Sequence, residues 1–154
     1  MDLGQHTELL LDNYHRCFGE DLVSRSADEA AVLMRAKFVV LSHGTESDPV
    51  FNYGNEAAQA LFEMDWNTLT ALPSRSSAEA MHQSERAAFL KAVQEQGYSE
   101  GYGGVRMSAS GKRFRIAGAR VWNLLDAQGT TLGQAATFSE WEALDEQGTL
   151  DTDD

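Results

Sequence analysis

The chain opens with apolar residues at helical spacing. One face of this first predicted helix carries Leu10, Leu11, Tyr14 and Phe18. Gly19 is placed to end the helix, because glycine adopts the left-handed conformation of helix C-termini at little cost. A second helix is predicted at 27–35. Together they make a region of N-terminal flanking helices, residues 1–36.

Two short apolar segments follow. Residues 38–41 are all apolar and include two β-branched valines, which predicts a strand covered on both faces. Residues 50–53 predict a second strand, and the turn-rich stretch 43–49 between them predicts a hairpin.

The middle of the chain is predicted to be helical, mostly in short pieces. Asn55 and Asp65 are good N-cap residues for two successive short helices, because their side-chain oxygens can accept hydrogen bonds from the first free amides. A longer helix is predicted at 84–96, and Gly97 is well placed to end it.

The last third of the chain has the pattern of a sheet. Strands are predicted at 98–108, 114–125 and 132–138, with turns rich in glycine between them. Two successive turns joining three strands indicate an antiparallel meander. Helices segregated beside an antiparallel sheet give the α+β class. The main domain is therefore expected at 37–141, followed by an acidic disordered tail at 142–154.

Charge and cysteine content narrow the classes of partner. The net charge of −12 disfavours phosphate backbones, so we expect no nucleic-acid partner. Between residues 105 and 125 the charged residues are all basic, and we interpret them as solvent-facing strand positions. Cys17 has no second cysteine to pair with, and no apolar run approaches the ~20 residues that span a bilayer. The expectation is a cytoplasmic protein with no membrane partner.

The order of these elements resembles a PAS domain. The closer resemblance is to the MEKHLA subfamily of PAS-like domains, carried by FVVLSHG at 38–44, DPVFNYGN at 48–55, LPSR at 72–75 and AATF at 135–138. The resemblance implies a PAS-like five-stranded antiparallel sheet with helices on one face, plus the N-terminal flanking helices. It also implies a sensing or regulatory role rather than an enzyme.

A PAS-like sheet can enclose a pocket for a small molecule of unknown identity. We expect its apolar wall to come from Phe62, Trp66, Met81, Phe89 and Trp122. Polar contacts are expected from Tyr53, Asn123 and Gln134, and contacts to an anionic group from Arg75 and Arg86. The alternative for the aromatic residues is plain core packing.

The sequence gives little indication of the cofactors that the wider PAS family binds. Light-sensing members use a reactive cysteine on a central helix, whereas Cys17 lies in the first predicted helix. The haem-ligand position of other members corresponds to Arg86, with His82 about one turn away. His43, Glu46 and Asp48 share one loop but fit a polar turn better than a metal site, so no metal is predicted. No catalytic motif is present, and the cofactor is left unknown.

The apolar stripe of the first helix has to be covered. Either the chain's own sheet covers Leu10, Leu11, Tyr14 and Phe18, or a second copy does so in a homodimer. Two functional hypotheses are carried forward, and a small enzyme that uses the cavity is the remaining alternative. The first is a stand-alone sensory domain that binds a small molecule and signals through a partner protein. The second is a ligand-free module for protein–protein interaction or dimerisation.

Overall fold

The computed structural model describes residues 2–77 and 83–144, with side chains placed except at 83–87 and 90. The helices are α1 Leu3–Phe18, α2 Glu29–Arg35, α3 Glu56–Phe62, α4 Trp66–Leu69 and α5 Gln83–Gln96, with a short 3-10 helix at Ser74–Ser77. The strands are β1 Val39–His43, β2 Phe51–Gly54, β3 Tyr98–Met107, β4 Arg113–Leu125, β5 Thr131–Phe138 and β6 Glu140–Ala143. This order matches the predicted sequence of elements and confirms the α+β class.

The strands form one antiparallel sheet. Its order is β2-β1-β5-β4-β3, and β6 also pairs with β4. Thr137 of β5 pairs with Arg120 of β4, and Glu140 of β6 pairs with Ala117. The short strand β6 therefore continues the path of β5 along β4 after a break at Ser139.

The sixth strand corrects two predictions. Five strands were expected, whereas the sheet has a sixth, β6, all four of whose residues are exposed. The tail was expected to begin at 142, yet Ala143 pairs with Phe114 and the amide of Leu144 donates to the carbonyl of Arg113. Ordered structure thus extends through Leu144. The rest of the predicted tail lies outside the described residues.

Both faces of the sheet are covered. In β1, Val39 and Leu41 pack into the cluster under α3 and α4, whereas Val40 packs into the cluster under α1 and α2. Alternate strand residues point to opposite faces, so this pattern places α1 and α2 on one face and the later helices on the other. We call the α1 side the outer face and the α3–α5 side the inner face. All of β1 is buried, which confirms a strand covered on both faces.

Helix ends follow the predicted caps. Asp65 Oδ1 accepts from the amide of Thr68 at 2.8 Å, and Asn55 Oδ1 accepts from the amide of Ala58 at 3.1 Å. Gly19 ends α1 in the left-handed conformation, with φ 73°. No helix within 2–77 or 83–144 is long and apolar enough to cross a membrane.

Candidate functional site

A cavity lies between the inner face of the sheet and the helices above it. Its volume is about 60 Å³. Apolar side chains make most of its wall, chiefly Phe51, Phe62, Phe89, Ile116, Val121 and Phe138. The polar or charged residues at its wall are Ser42, His43, Ser74, Ser77, Tyr102, Arg106 and Gln134. An apolar wall with a few polar groups is the usual composition of a small-molecule site.

The volume limits what the cavity can hold. Drug-sized ligands occupy pockets of roughly 300–1,000 Å³, whereas this cavity has room for a few water molecules or a very small organic molecule. A flavin, the cofactor of light-sensing PAS domains, does not fit in this volume. Cys17 also lies in α1 on the outer face, where burial raises its pKa, and its thiol approaches the carbonyl of Gly97 at 3.9 Å. The residues present therefore do not make a flavin-adduct site.

Three of the predicted pocket residues line this cavity. Phe62 comes from α3, Phe89 from α5 and Gln134 from β5. Gln134 is oriented by Asn123, because its Nε2 donates to Asn123 Oδ1 at 3.1 Å. Asn123 itself is absent from the wall. Its Nδ2 donates to the carbonyls of Val93 and Gln94, so it ties the end of α5 to the sheet.

Trp122 was predicted to line the pocket, and the structure corrects this. Phe114, Ile116, Trp122 and Leu124 lie at period two in the sequence, which would place them on one face of a regular strand. Phe114 and Ile116 do face the inner cluster, but Gly118, at φ 66°, interrupts the alternation. The pairing of β3 with β4 shifts register at the same place. Beyond it Trp122 faces the outer cluster, and its Nε1 donates to the carbonyl of Leu10 at 3.2 Å.

Tyr53 and Trp66 also lie away from the cavity. Their rings meet edge to face at 5.7 Å between centroids and pack with the outer cluster. Tyr53 projects from β2 to the side where His6 of α1 lies, with the two ring centroids 5.6 Å apart. For these aromatic residues the core-packing alternative is the one the structure supports.

The arginines predicted to meet an anion are not brought to the cavity wall. Arg75 is exposed, and its Nε donates to Asp48 Oδ1 at 2.9 Å. Arg86 lies in α5, but its side chain is outside the described part of the molecule. Met81 and His82 lie outside the described residues altogether, so the geometry does not bear on them.

The sequence interpretation missed Arg106. It was grouped with solvent-facing basic residues, yet it is only 9% exposed and lines the cavity. Its Nη2 donates to the hydroxyl of Tyr102 at 2.5 Å, and its Nη1 donates to the carbonyl of Val105 at 3.0 Å. The ring of Tyr102 in turn stacks on Phe89, with centroids 4.1 Å apart. The sequence did hold one indication of this contact. Tyr102 and Arg106 are four residues apart in one strand, so their side chains are expected on the same face.

Gly104 leaves the space that this pair occupies. A Cβ at this position would lie 2.9 Å from the Tyr102 hydroxyl and 3.2 Å from Arg106 Nη1. Glycine inside a strand often marks a bulge or the close approach of another group. The glycine-rich stretch of β3 thus lets the phenol and the guanidinium fold together against the strand.

The apolar stripe of α1 is covered by the chain itself. Leu10, Leu11 and Tyr14 are buried against the outer face, and the Tyr14 ring meets Trp122 edge to face at 5.0 Å. Phe18 is half-buried and lies beneath the Arg120 guanidinium, 4.9 Å from its ring centroid. The stripe is therefore not available to a second copy, which corrects its assignment as a dimerisation surface.

The polar side chains of the hairpin loop between β1 and β2 bond within the chain. Asp48 pairs with Arg75, and Glu46 accepts from the amide of Val50 at 3.3 Å. His43 Nδ1 lies 3.0 Å from the carbonyl of Gly44. No group of three or more His, Cys, Asp or Glu side chains converges anywhere in the described ranges.

Solved structures with the same architecture include PAS and light-oxygen-voltage domains. The PAS domain of a protein from Colwellia psychrerythraea gives a TM-score of 0.63 at 11% identity, covering 71% of this chain and 91% of that one. A light-oxygen-voltage domain studied with a flavin analogue gives 0.58 at 12%, covering 79% and 87%. A PAS domain from a two-component sensor histidine kinase gives 0.56 at 14%, covering 73% and 90%. At these identities the likeness establishes the PAS fold.

The sequence carries a more specific match. Residues 4–143 match the MEKHLA domain, a span that includes α1 and β6. The chain belongs to the MEKHLA domain family, which confirms the resemblance drawn from its sequence strings. No curated protein matches the chain.

Proposed function

We propose that this MEKHLA domain is a sensory or regulatory domain that binds a small molecule in its inner cavity and signals through a partner protein. The observation that carries the proposal is the cavity, with an apolar wall and buried polar groups that would orient a ligand. The role is non-catalytic. The partner is proposed to be a protein rather than a nucleic acid, because the chain carries a net charge of −12. The cytoplasmic location expected from the sequence belongs to the same proposal.

Strand β4 supplies the route from cavity to partner. Its inner face lines the cavity through Ala119 and Val121. Its outer face holds α1, through the Trp122 bond to the Leu10 carbonyl and the bond from Asn13 Nδ2 to the Leu125 carbonyl at 3.1 Å. A ligand that shifts β4 would therefore shift α1 as well. Small movements of packed elements are a common means of transmitting binding.

A cavity-filling variant tests ligand binding. Ala119 lines the cavity and is buried, so Ala119→Val adds methyl groups to the space a ligand needs. Ala117→Val on the same strand is the matched control, since Ala117 is exposed. Ligands that bind the native state raise Tm, so a small-metabolite panel should include compounds that raise Tm for wild type and the control but not for Ala119→Val. Equal Tm rises in all three proteins would place the ligand elsewhere and contradict the proposal.

The second candidate is a ligand-free interaction module. The small volume of the cavity, about 60 Å³, favours this candidate, because voids of this size also occur in protein cores that bind no ligand. On this alternative no compound of the panel changes Tm, and freshly purified protein carries no small molecule in native mass spectrometry. A homodimer would be one form of such a module. It would use a surface other than the covered stripe of α1.

A further inference from the structure

We propose that the ligand is a short monocarboxylate, held by Arg106 and Tyr102 at the inner cavity. This inference rests on the proposed function, and it adds the chemical class of the ligand. It follows from three features of the cavity: its charge, its hydrogen-bond donors and its size.

The charge comes from a buried guanidinium without a carboxylate partner. In the described ranges, Arg106 bonds only to the Val105 carbonyl and the Tyr102 hydroxyl, both uncharged acceptors. By contrast, the more exposed Arg25, Arg75 and Arg120 all form ion pairs. A buried cation is costly unless an anion accompanies it, so the site favours an anionic ligand.

The donors suit a carboxylate. Tyr102 accepts its bond from Arg106, and within the described part of the chain no bond uses the hydrogen of its own hydroxyl. Arg106 Nη2, whose nitrogen lies 2.5 Å from that hydroxyl oxygen, has a second hydrogen besides the one it donates to Tyr102. The N–H of Arg106 and the O–H of Tyr102 thus lie side by side, and each can donate to one oxygen of the same carboxylate. Charge-assisted bonds of this kind are about twice as strong as neutral ones.

Size and polarity restrict the rest of the ligand. A cavity of about 60 Å³ leaves room for a chain of roughly two to four carbons. Phe62, Phe89 and Ile116 give that chain an apolar environment. Among the described residues of the wall, Arg106 is the one lysine or arginine, so a second carboxylate would be buried without a cation. A monocarboxylate such as propionate fits better than a dicarboxylate.

The test is a titration with matched ligands and matched variants. Acetate, propionate and butyrate are compared with acetamide, propionamide and butyramide, at constant ionic strength, by thermal shift and by calorimetry. Arg106→Gln removes the cavity charge, and Arg115→Gln removes one charge from an exposed position of β4 as control. We expect wild type and Arg115→Gln to bind propionate, propionamide to bind at least tenfold more weakly, and Arg106→Gln to lose at least tenfold in affinity.

Each other outcome has a defined meaning. If the amides bind as well as the carboxylates, or if Arg106→Gln binds propionate like wild type, the inference is overturned while the proposed function stands. If no compound of this set or of the metabolite panel binds, both fail. Should Arg106→Gln not fold, Tyr102→Phe removes only the hydroxyl donor, and it must weaken propionate binding for the inference to survive.

Discussion

At the scale of single residues, Asn55 links more of the molecule than any other side chain discussed above. Its Oδ1 accepts from the amides of Val40 and Ala58, and its Nδ2 donates to the carbonyls of Leu33 and Phe38. One fully buried amide thus caps α3 and joins it to α2 and β1. The sequence indicated the cap but not the other three bonds, because they depend on distant segments meeting in the fold.

Replacing Asn55 should therefore cost much more than a lost cap. Asn55→Ala leaves buried backbone groups without partners, and we expect the free energy of unfolding to fall by about 3 kcal/mol or more. Asn67→Ala in α4 is the control, since Asn67 is exposed and should change stability by less than about 0.5 kcal/mol. Urea unfolding of both variants makes the comparison. If both variants lose only a small and similar part of the free energy of unfolding, the four hydrogen bonds of Asn55 are not formed.

A second residue gives the fold a pH dependence. His6 of α1 is buried on the outer face, and burial lowers its pKa from 6.5 to about 4. Its Nε2 lies 2.9 Å from Ser42 Oγ, and that hydroxyl donates to Asn52 Oδ1 at 2.5 Å. Nε2 is therefore the donor to Ser42, which assigns the neutral tautomer protonated at Nε2.

Stability should consequently fall as the pH drops below 6.5. The unfolded chain binds a proton on His6 between pH 6.5 and about 4, and the folded chain does not, so acid favours unfolding in this window. The loss attributable to His6 is up to about 3 kcal/mol by pH 4. Urea unfolding at pH 7, 6, 5 and 4 measures it against His6→Gln, whose stability should depend less on pH across this window. If the free energies of unfolding of the two proteins change with pH in parallel, His6 is not buried in its neutral form.

At the scale of elements, local periodicity predicted most strands and helices but not which face each residue occupies. The helix caps at Asn55 and Asp65 depend on neighbours in sequence, so they could be found. In β4 the irregularity at Gly118 reverses the alternation, and this reverses the side to which Trp122 points. A glycine inside a strand can mark a shift in register, but its presence alone does not establish one. Strand β6 escaped prediction because both its faces are exposed.

The sequence left open whether the chain's own sheet or a second copy covers helix α1, and stability measurements can distinguish the two. Leu10 is fully buried by the chain's own sheet, so Leu10→Ala should destabilise the domain by about 2–5 kcal/mol. Leu3 of the same helix is 40% exposed, and Leu3→Ala should cost far less. Because the contact is within one chain, the effect should not depend on protein concentration. Unfolding midpoints that rise with protein concentration would instead indicate that a second copy covers the helix.

At the scale of the whole molecule, one sheet separates the cavity from helix α1. Its inner face borders the cavity, and its outer face holds α1. Strand β4 contributes to both sides, with Val121 toward the cavity and Trp122 toward α1. Of the residues that the sequence analysis named for a pocket within a PAS-like sheet, Phe62, Phe89 and Gln134 lie on the wall of the cavity. Arg106 was missed because charge in a strand usually faces solvent.

The most direct test of a ligand-binding domain is an NMR titration of backbone amides with the panel compound that raises Tm most. The account predicts shifts at Tyr102, Arg106 and Val121 around the cavity, accompanied by shifts in α1 at Leu10 and Tyr14, and loss of both sets in Ala119→Val. Shifts confined to the protein surface, or shifts that persist unchanged in Ala119→Val, would contradict it.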